Sequence, residues 1–248
     1  MSIAVVTGAS SGIGRCLALR LAQEGFEVYG FGRTFAPNDL TVPHFHAVVC
    51  DLRATADVLR EVDRIRREGE VSLLVLCGGT AYYGLHEELN AEKIEEMVSV
   101  NLTSPMILTQ RLLRDLKKNQ GTVVLMSSVT AKLPSPHGCA YAATKAGLSS
   151  FGASLFDEVR RYGVKVITVQ PDMTATRLYR HADFTVDDDP QAYLVPEDVA
   201  DAVLFALSGK ERFVMREITL RPQLHRIRRK SRTAGKDDEA QDAGDPVL

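Results

Sequence analysis

The sequence predicts an α/β protein with one doubly wound parallel sheet of about seven strands and helices on both faces. Three observations predict this fold. Short apolar runs alternate with longer segments of helical periodicity over residues 1–220, a glycine-rich turn directly follows the first apolar run, and no linker interrupts the alternation. Right-handed crossovers bring the carboxyl ends of such strands to one edge of the sheet, where ligands bind.

The composition is that of an ordinary soluble globular protein. The 248 residues are 45% hydrophobic and 25% charged, with a formal net charge of −2. This balance gives no concentrated basic surface, so we expect neither nucleic acid nor a membrane as a partner. The chain shows no basic leader and no apolar run of ~18 residues, which predicts a cytoplasmic protein. The four cysteines lack C-x-x-C spacing, so we expect no disulfide framework and no metal site.

Residues 2–7 form the first predicted strand, and a glycine-rich turn separates it from a helix with apolar residues spaced by four. This order is typical of a dinucleotide site. Glycines let the backbone approach a pyrophosphate, and the free N–H groups at the helix N-terminus hold its charge. A glycine turn can also be only a turn. The residues expected at the cofactor are Gly8, Ser10, Ser11, Gly12, Ile13 and Gly14.

The second predicted strand, residues 27–31, ends at Gly32, Arg33 and Thr34. The adenosine ribose of a dinucleotide would lie here, where NAD-specific sites usually carry a carboxylate. The sequence has none, and the guanidinium of Arg33 suits a 2′-phosphate. NADP(H) is therefore favoured over NAD(H), with Arg33 and Thr34 at the cofactor, although an arginine at a strand end can simply be solvated.

Two more strands are predicted at residues 46–50 and 71–76, on either side of an amphipathic helix around residues 58–66. Small or polar residues follow each strand and leave room for a cofactor, as a plain turn would. Asp51 is expected either to bind an adenine amine or to cap the next helix. The cofactor residues expected at these strand ends are Asp51, Leu52, Cys77, Gly78 and Gly79.

The second half of the chain continues the alternation. A helical segment at residues 91–118 is expected to break near Asn101. The elements that follow are a strand at 121–127, a helix at 138–162, a strand at 164–169, a helix at 196–207 and a strand at 213–220. Residues 172–194 lack periodicity and are expected to form a substrate lid, in which His181 is a lid residue rather than a catalyst.

A phenol and an ammonium are predicted on one helix face. Tyr141 and Lys145 are four residues apart, so their side chains leave a helix one turn apart. Ser127 and Ser128 end the strand just upstream. Three polar groups of different acidity can therefore converge, although such a pair also occurs on solvated helix faces.

Taken together, these motifs resemble the classical short-chain dehydrogenases/reductases over residues 2–220. Thr7–Gly14 matches their TGxxxGxG turn, Asn101 their helix-breaking asparagine, and Tyr141 to Lys145 their YxxxK, with Ser128 thirteen positions before the tyrosine. The resemblance implies a Rossmann-type domain, a homodimer or homotetramer, and a small carbonyl or alcohol substrate. The catalytic residues that it implies are Asn101, Ser128, Tyr141 and Lys145.

The resemblance also implies the chemistry. Tyr141 acts as general acid or base while hydride passes to or from NADP(H), Ser128 holds the substrate oxygen, Lys145 grips the ribose, and Asn101 supports a water. Lowering a phenol pKa from about 10 to about 7 takes roughly 4 kcal/mol, of which an ammonium ~5 Å away supplies roughly 3 kcal/mol. Two more residues implied at the cofactor are Pro171 and Thr176.

Two departures from the family pattern leave an alternative open. The usual NNAG is replaced by Leu76–Gly79, and the usual PG by Pro171 and Asp172, which puts a carboxylate near the nicotinamide pocket. Both departures favour a non-catalytic NADP(H)-binding sensor of the same fold, and the complete tetrad argues against it. A nucleotide-sugar epimerase would need more chain after Pro171. A methyltransferase would want an acidic residue in place of Arg33.

Residues 221–248 are first basic and then acidic. This composition predicts a solvated, flexible tail. Its basic run is also able to contact RNA, an anionic lipid surface or the acidic stretch beside it.

Overall fold

Seven parallel strands form the central sheet, in the order β3-β2-β1-β4-β5-β6-β8. The computed structural model describes residues 2–209 and 212–230. The strands are β1 (Ile3–Thr7), β2 (Glu27–Gly32), β3 (Phe45–Val49), β4 (Val71–Leu76), β5 (Thr122–Met126), β6 (Lys165–Pro171), β7 (Phe184–Val186), β8 (Glu217–Leu220) and β9 (Ile227–Arg229). The helices are α1 (Gly12–Gln23), α2 (Thr55–Glu68), α3 (Ala91–Val98), α4 (Ser104–Lys118), α5 (Cys139–Val159) and α6 (Pro196–Leu207).

Helices cover both faces of the sheet, as the nearly continuous apolar strands require. On one face α2, α4 and α5 bury side chains such as Ile65, Leu112 and Leu148, and on the other face α1 and α6 bury Leu17 and Val203. The predicted doubly wound sheet with about seven strands is therefore confirmed. The chain winds outward in opposite directions from β1 and β4, and this reversal opens a crevice at their carboxyl ends.

The glycine turn holds α1 tightly against the first strand. Gly8 and Gly12 have φ values of +68° and +53°, which favour glycine. A Cβ at Gly14 would lie 2.3 Å from the carbonyl oxygen of Gly8, which is closer than atoms can approach. The glycines therefore fix where the positive end of α1 lies relative to the strand ends.

We expect Gly14→Ala to lower the free energy of unfolding by roughly 1–3 kcal/mol, because the added methyl group must push α1 away from the turn. Urea denaturation checks this. Gly79→Ala is the matched control, since a Cβ there would meet no atom closer than 3.5 Å. Equal stability of the two variants would contradict the close helix–strand contact.

The predicted break in the helical segment at residues 91–118 is a π-helical stretch, Ser99–Thr103, that joins α3 to α4. The extra residue in such a turn lets Asn101 point inward without ending the helical path. The last predicted strand is shorter than expected. Only Glu217–Leu220 pair with β6, whose register begins at Thr168.

The predicted lid and the predicted tail pair with each other. Within residues 172–194, β7 forms an antiparallel pair with β9. Two ion pairs accompany it, Arg228 with Asp188 at 2.6 Å and Arg226 with Asp189 at 3.6 Å. Residues 221–230, which we call the C-terminal strap, are thus folded onto the lid, although most of their side chains stay exposed to solvent. The rest of the expected tail, residues 231–248, lies outside the described residues.

None of the helices within residues 2–209 and 212–230 combines the length and the apolar character needed to cross a membrane.

Candidate active site

An open cleft of about 640 Å³ lies at the carboxyl edge of the sheet. The strand ends of β1, β2, β3 and β4 supply most of its walls. The predicted cofactor residues that line it are Gly8, Ser10, Ser11, Arg33, Asp51, Leu52, Gly78 and Gly79. Thr34 is exposed next to Arg33, and Gly12, Ile13 and Gly14 form the first turn of α1. The structure therefore gathers the predicted cofactor residues of four strand ends around one cleft.

The glycine cradle and the charges of the cleft fit a dinucleotide. A Cβ on Gly8 would lie 2.9 Å from the Cα of Gly78, so the two strand ends leave space only for backbone and ligand. Within residues 2–209 and 212–230 no side chain caps α1, which leaves its first N–H groups available to a phosphate. Arg33 is exposed, lines the cleft, and forms no ion pair with a carboxylate of the described residues.

Asp51 is already held by a neighbouring arginine. Its carboxylate accepts hydrogen bonds from the Arg53 guanidinium at 2.6 and 2.9 Å and from the Arg53 backbone N–H at 2.9 Å. These bonds lower the pKa of Asp51. Its charge is thus partly neutralised, which reduces its repulsion of a phosphate in the same cleft. The side chain keeps 33% of its surface exposed.

Asn101 locks the loop after β4 to α5. Its Oδ1 accepts from the Thr80 N–H at 2.8 Å, and its Nδ2 donates to the Thr80 carbonyl at 2.8 Å and to Thr144 Oγ1 at 3.1 Å. The residue is fully buried. A Cβ on Gly79 would lie 3.5 Å from Asn101 Oδ1 and 3.7 Å from Lys145 Nζ. The missing side chain of Gly79 therefore leaves the gap between Asn101 and Lys145 open.

Lys145 is a buried lysine beside the expected tyrosine. Only 4% of its surface is exposed, and its Nζ donates to the Met126 carbonyl at 2.8 Å. The Nζ lies 5.6 Å from the centre of the Tyr141 ring. Burial lowers the pKa of Lys145 to about 8, because removal from water penalises the ammonium.

The pKa of Tyr141 is raised in the structure, whereas the sequence led us to expect that it is lowered. The side chain is 4% exposed, and burial raises its pKa above 10, while the nearby Ser128 hydroxyl acts in the lowering direction. The expected value of about 7 counted the attraction of Lys145 and left out the loss of water around the phenol. In the protein alone, Tyr141 is therefore a protonated phenol that can donate a proton.

The two serines at the end of β5 have different surroundings. Ser127 Oγ donates to the carbonyl of Lys145 at 3.0 Å and shares a hydrogen bond with Ser149 Oγ at 2.7 Å, so it ties β5 to α5. Ser128 Oγ accepts from the Thr130 N–H at 3.2 Å. Its hydroxyl also lies near Tyr141, where it acts to lower the pKa of the phenol. Ser128 is therefore the serine of the pair that faces the buried tyrosine.

We expect Lys145→Met to raise the free energy of unfolding by about 2 kcal/mol at pH 7 without nucleotide. A pKa of about 8 against an ordinary 10.5 corresponds to roughly 3 kcal/mol of burial cost, which the variant avoids. Loss of the hydrogen bond to the Met126 carbonyl offsets about 1 kcal/mol of this gain. The unfolded chain holds the proton more tightly between pH 8 and 10.5, so wild-type stability rises with pH there. The gain of the variant is therefore full below pH 8 and shrinks toward pH 10.5.

Thermal or urea unfolding at several pH values measures this gain. Lys118→Met, at a side chain 72% exposed, is the control and is expected to leave stability close to that of wild type. A destabilised Lys145→Met protein at pH 7 would show that the ammonium stabilises the empty fold.

An aromatic cluster that sequence reasoning missed surrounds Tyr141. The ring of Tyr83 lies 5.9 Å from Tyr141 and 5.0 Å from Phe184 of the lid, and Tyr179 lies 5.5 Å from Phe184. Burial raises the pKa of Tyr179 to about 12, so the cluster is uncharged. The only sequence signal was the presence of aromatic residues in an aperiodic lid. A substrate that reaches Tyr141 would meet an apolar, aromatic wall.

Five residues that the sequence suggests for a mixed apolar and polar substrate pocket differ in exposure. Val129 and Met173 are buried, whereas Leu133, Pro134 and His137 are exposed.

Asp172 does not present a free carboxylate to the pocket. Its Oδ2 accepts from the Arg221 guanidinium at 2.9 Å and its Oδ1 from the Met173 N–H at 2.9 Å. The departure from the usual glycine therefore ties the end of β6 to the C-terminal strap. Pro171 ends β6, and Thr176 lies against the glycine turn, where a Cβ on Gly12 would be 3.1 Å from its methyl group.

The pKa shifts of Cys77 and His181 both favour the uncharged form of the side chain. Burial raises the pKa of the Cys77 thiol to about 12. Burial and the nearby Arg180 lower the pKa of His181, whose ring stacks on Tyr82 at 5.2 Å. The part of the chain that the structure describes holds no group of three His, Cys, Asp or Glu side chains able to bind a metal.

Known proteins resemble this chain over most of its length. A family model described as short chain dehydrogenase matches residues 2–185. An uncharacterized oxidoreductase of Staphylococcus epidermidis is 29% identical over 226 residues, which cover 89% of this chain and 96% of that protein. The 3-oxoacyl-acyl-carrier-protein reductase FabG of Escherichia coli is 29% identical over 231 residues, covering 87% and 93%. The structure of an alcohol dehydrogenase from the archaeon Thermococcus sibiricus, complexed with 5-hydroxy-NADP, has a TM-score of 0.80 at 25% identity and covers 91% of this chain and 98% of that chain.

Proposed function

Because the chain belongs to the short chain dehydrogenase family and is therefore an oxidoreductase, we propose that it transfers a hydride between NADP(H) and a carbonyl or secondary alcohol group of a small organic molecule. One observation carries this proposal. The buried phenol of Tyr141 lies beside both Ser128 and Lys145. The Lys145 ammonium is in turn 3.7 Å from where a Cβ of Gly79 would lie, in the wall of the cleft that fits a dinucleotide. The predicted family resemblance, stated above as an expectation, is confirmed.

In the reducing direction Tyr141 acts as the general acid. When bound, NADPH supplies the hydride that reaches the carbonyl carbon. The carbonyl oxygen then takes the proton of the Tyr141 hydroxyl, and the Ser128 hydroxyl donates a hydrogen bond to the same oxygen. Burial supports this direction because it keeps Tyr141 protonated until the oxygen becomes basic. The Lys145 ammonium stabilises the phenolate that remains.

Lys145 also offers a route for returning the proton. Its pKa of about 8 lies near neutral pH, so the ammonium can give a proton to the phenolate and regain one. The open space left by Gly79 joins its Nζ to the side of Asn101. We assign Asn101 a positioning role, because its side chain holds the loop that carries Gly79.

Three features support NADP(H) as the cofactor. Arg33 carries an unneutralised charge at the adenosine end of the cleft, Asp51 is paired with Arg53, and the Thermococcus alcohol dehydrogenase is complexed with 5-hydroxy-NADP. The uncharged aromatic cluster supports apolar or aromatic carbonyl compounds as substrates.

A panel of aldehydes, ketones and alcohols assayed with NADPH/NADP and NADH/NAD in parallel tests the proposal. We expect turnover with at least one apolar carbonyl compound and a preference for NADPH. Tight NADPH binding without turnover across the panel would instead favour the non-catalytic sensor. Absence of binding to any of the nucleotides would contradict both.

A further inference from the structure

Arg180 of the lid lines the same cleft as the glycine turn and the end of β4. Its Nε donates to His181 Nε2 at 2.9 Å and its Nη1 to the Arg177 carbonyl at 3.3 Å. Neither acceptor is a carboxylate, and no ion pair links Arg180 to a carboxylate within residues 2–209 and 212–230. The guanidinium thus brings an unneutralised positive charge from the lid to the cleft.

The backbone beneath Arg180 is held from two sides. The His181 ring stacks on Tyr82, which follows the glycines at the end of β4. From the C-terminal strap, Lys230 Nζ donates to the carbonyls of Tyr179 and Arg180, both at 3.1 Å. The Lys230 N–H also donates to the Asp183 carbonyl at 2.8 Å. Arg180 is therefore presented to the cleft by an anchored segment of the lid.

The acidic groups of the cleft are already occupied. Asp51 is bound by Arg53, and Glu96 accepts from the Tyr82 hydroxyl at 2.8 Å and lies 3.9 Å from Arg53. The positive charges of Arg33 and Arg180 are thus available to bind an anion. Together with the uncapped N-terminus of α1, they form a cleft that attracts phosphate groups.

The order of the sheet decides which phosphate Arg180 can reach. Arg33 follows β2, on one side of β1, whereas Tyr82 and the lid segment stacked on it follow β4, on the other side. The glycine turn, where a pyrophosphate would lie, is between them. We propose that Arg180 binds the pyrophosphate of the cofactor, which makes the anchored lid segment part of the cofactor site. This inference rests on the proposed dinucleotide-dependent function.

Fluorescence titrations of the full chain with NADPH and with NADH test the assignment. Arg180→Ala is expected to raise the Kd of both nucleotides by about tenfold, which is about 1.4 kcal/mol, because both carry the pyrophosphate. Arg180→Lys keeps the charge and is expected to lose less. Arg177→Ala is the matched control, an exposed lid arginine outside the walls of the cleft, and is expected to stay within twofold of wild type.

The possible outcomes distinguish a failure of the Arg180 assignment from a failure of the proposed function. Unchanged Kd values in Arg180→Ala, with normal binding by wild type, would overturn the pyrophosphate contact and leave the proposed function standing. A loss confined to NADPH would overturn it too, since Arg180 would then serve the 2′-phosphate. A wild-type protein that binds neither nucleotide would overturn both. Unfolding curves without nucleotide are expected to coincide for wild type and Arg180→Ala, because the side chain is exposed.

Discussion

Tyr141→Phe is expected to lower kcat for carbonyl reduction by about a thousandfold, with little change in the Kd of NADPH. The substitution removes one oxygen atom and its proton, while the ring keeps its buried contacts and its place 5.9 Å from Tyr83. Proton transfer by a positioned group is worth about 10²–10⁴ in rate, and Tyr141 is the phenol that lies beside Lys145. Steady-state kinetics with a substrate accepted by wild type, together with nucleotide titration, measure both quantities.

Tyr83→Phe is the control that distinguishes loss of the proton donor from loss of any phenol in the cluster. It removes the neighbouring hydroxyl from the same aromatic cluster, and we expect kcat to fall by less than tenfold. A Tyr141→Phe protein with more than a tenth of wild-type turnover would contradict the assignment of Tyr141 as the acid. A large rise in the NADPH Kd of that variant would point to a structural role instead.

Arg33→Asp is expected to reverse the cofactor preference. A charge-assisted contact with the 2′-phosphate is worth roughly 1.5–3 kcal/mol, so its loss alone raises the NADPH Kd by about 10–100-fold. The new carboxylate adds repulsion of the phosphate and can accept hydrogen bonds from the ribose hydroxyls of NADH. Arg33→Ala is expected to lose NADPH affinity without gaining NADH affinity. Parallel determination of Kd and kcat/KM with both nucleotides checks the series.

Arg60→Ala is the control for the charge change. Arg60 lies in a neighbouring cavity with Arg33, but it already pairs with Asp57 at 2.6 Å. We expect its removal to change NADPH affinity by less than threefold. If Arg33→Asp binds NADPH as tightly as wild type, Arg33 is only a solvated residue at a strand end, the alternative that the sequence left open.

The sequence predicts the central sheet and the gathering of the site well, because both follow from short-range patterns. Apolar runs mark the strands, and parallel winding then brings their carboxyl ends together without knowledge of any side-chain contact. The sequence also predicts that Ser128 lies near Tyr141 and Lys145. Ser128 ends a strand, and the other two residues lie one turn apart on the helix that follows. The π-helical stretch at Asn101 was predicted as a break, although not as a continuous turn.

The features that the sequence could not predict depend on contacts between distant segments. The pKa direction of Tyr141 is set by how completely Tyr83 and the lid exclude water, and no count of nearby charges contains that quantity. The pairing of β7 with β9 joins two three-residue strands about forty residues apart, each too short to show a period. Charge composition alone gave no sign that the second of them pairs with the lid.

The C-terminal strap has a practical consequence for anyone who purifies this protein. The chain leaves its described part at Lys230, directly beside the lid that covers the candidate active site. A protein shortened to end before Lys230 would therefore lose both hydrogen bonds that this side chain donates to the lid, so kinetic comparisons should use the full chain. Ile3 begins β1 at the opposite edge of the sheet, far from the strand ends that form the cleft. An affinity tag fused ahead of β1 is accordingly preferred.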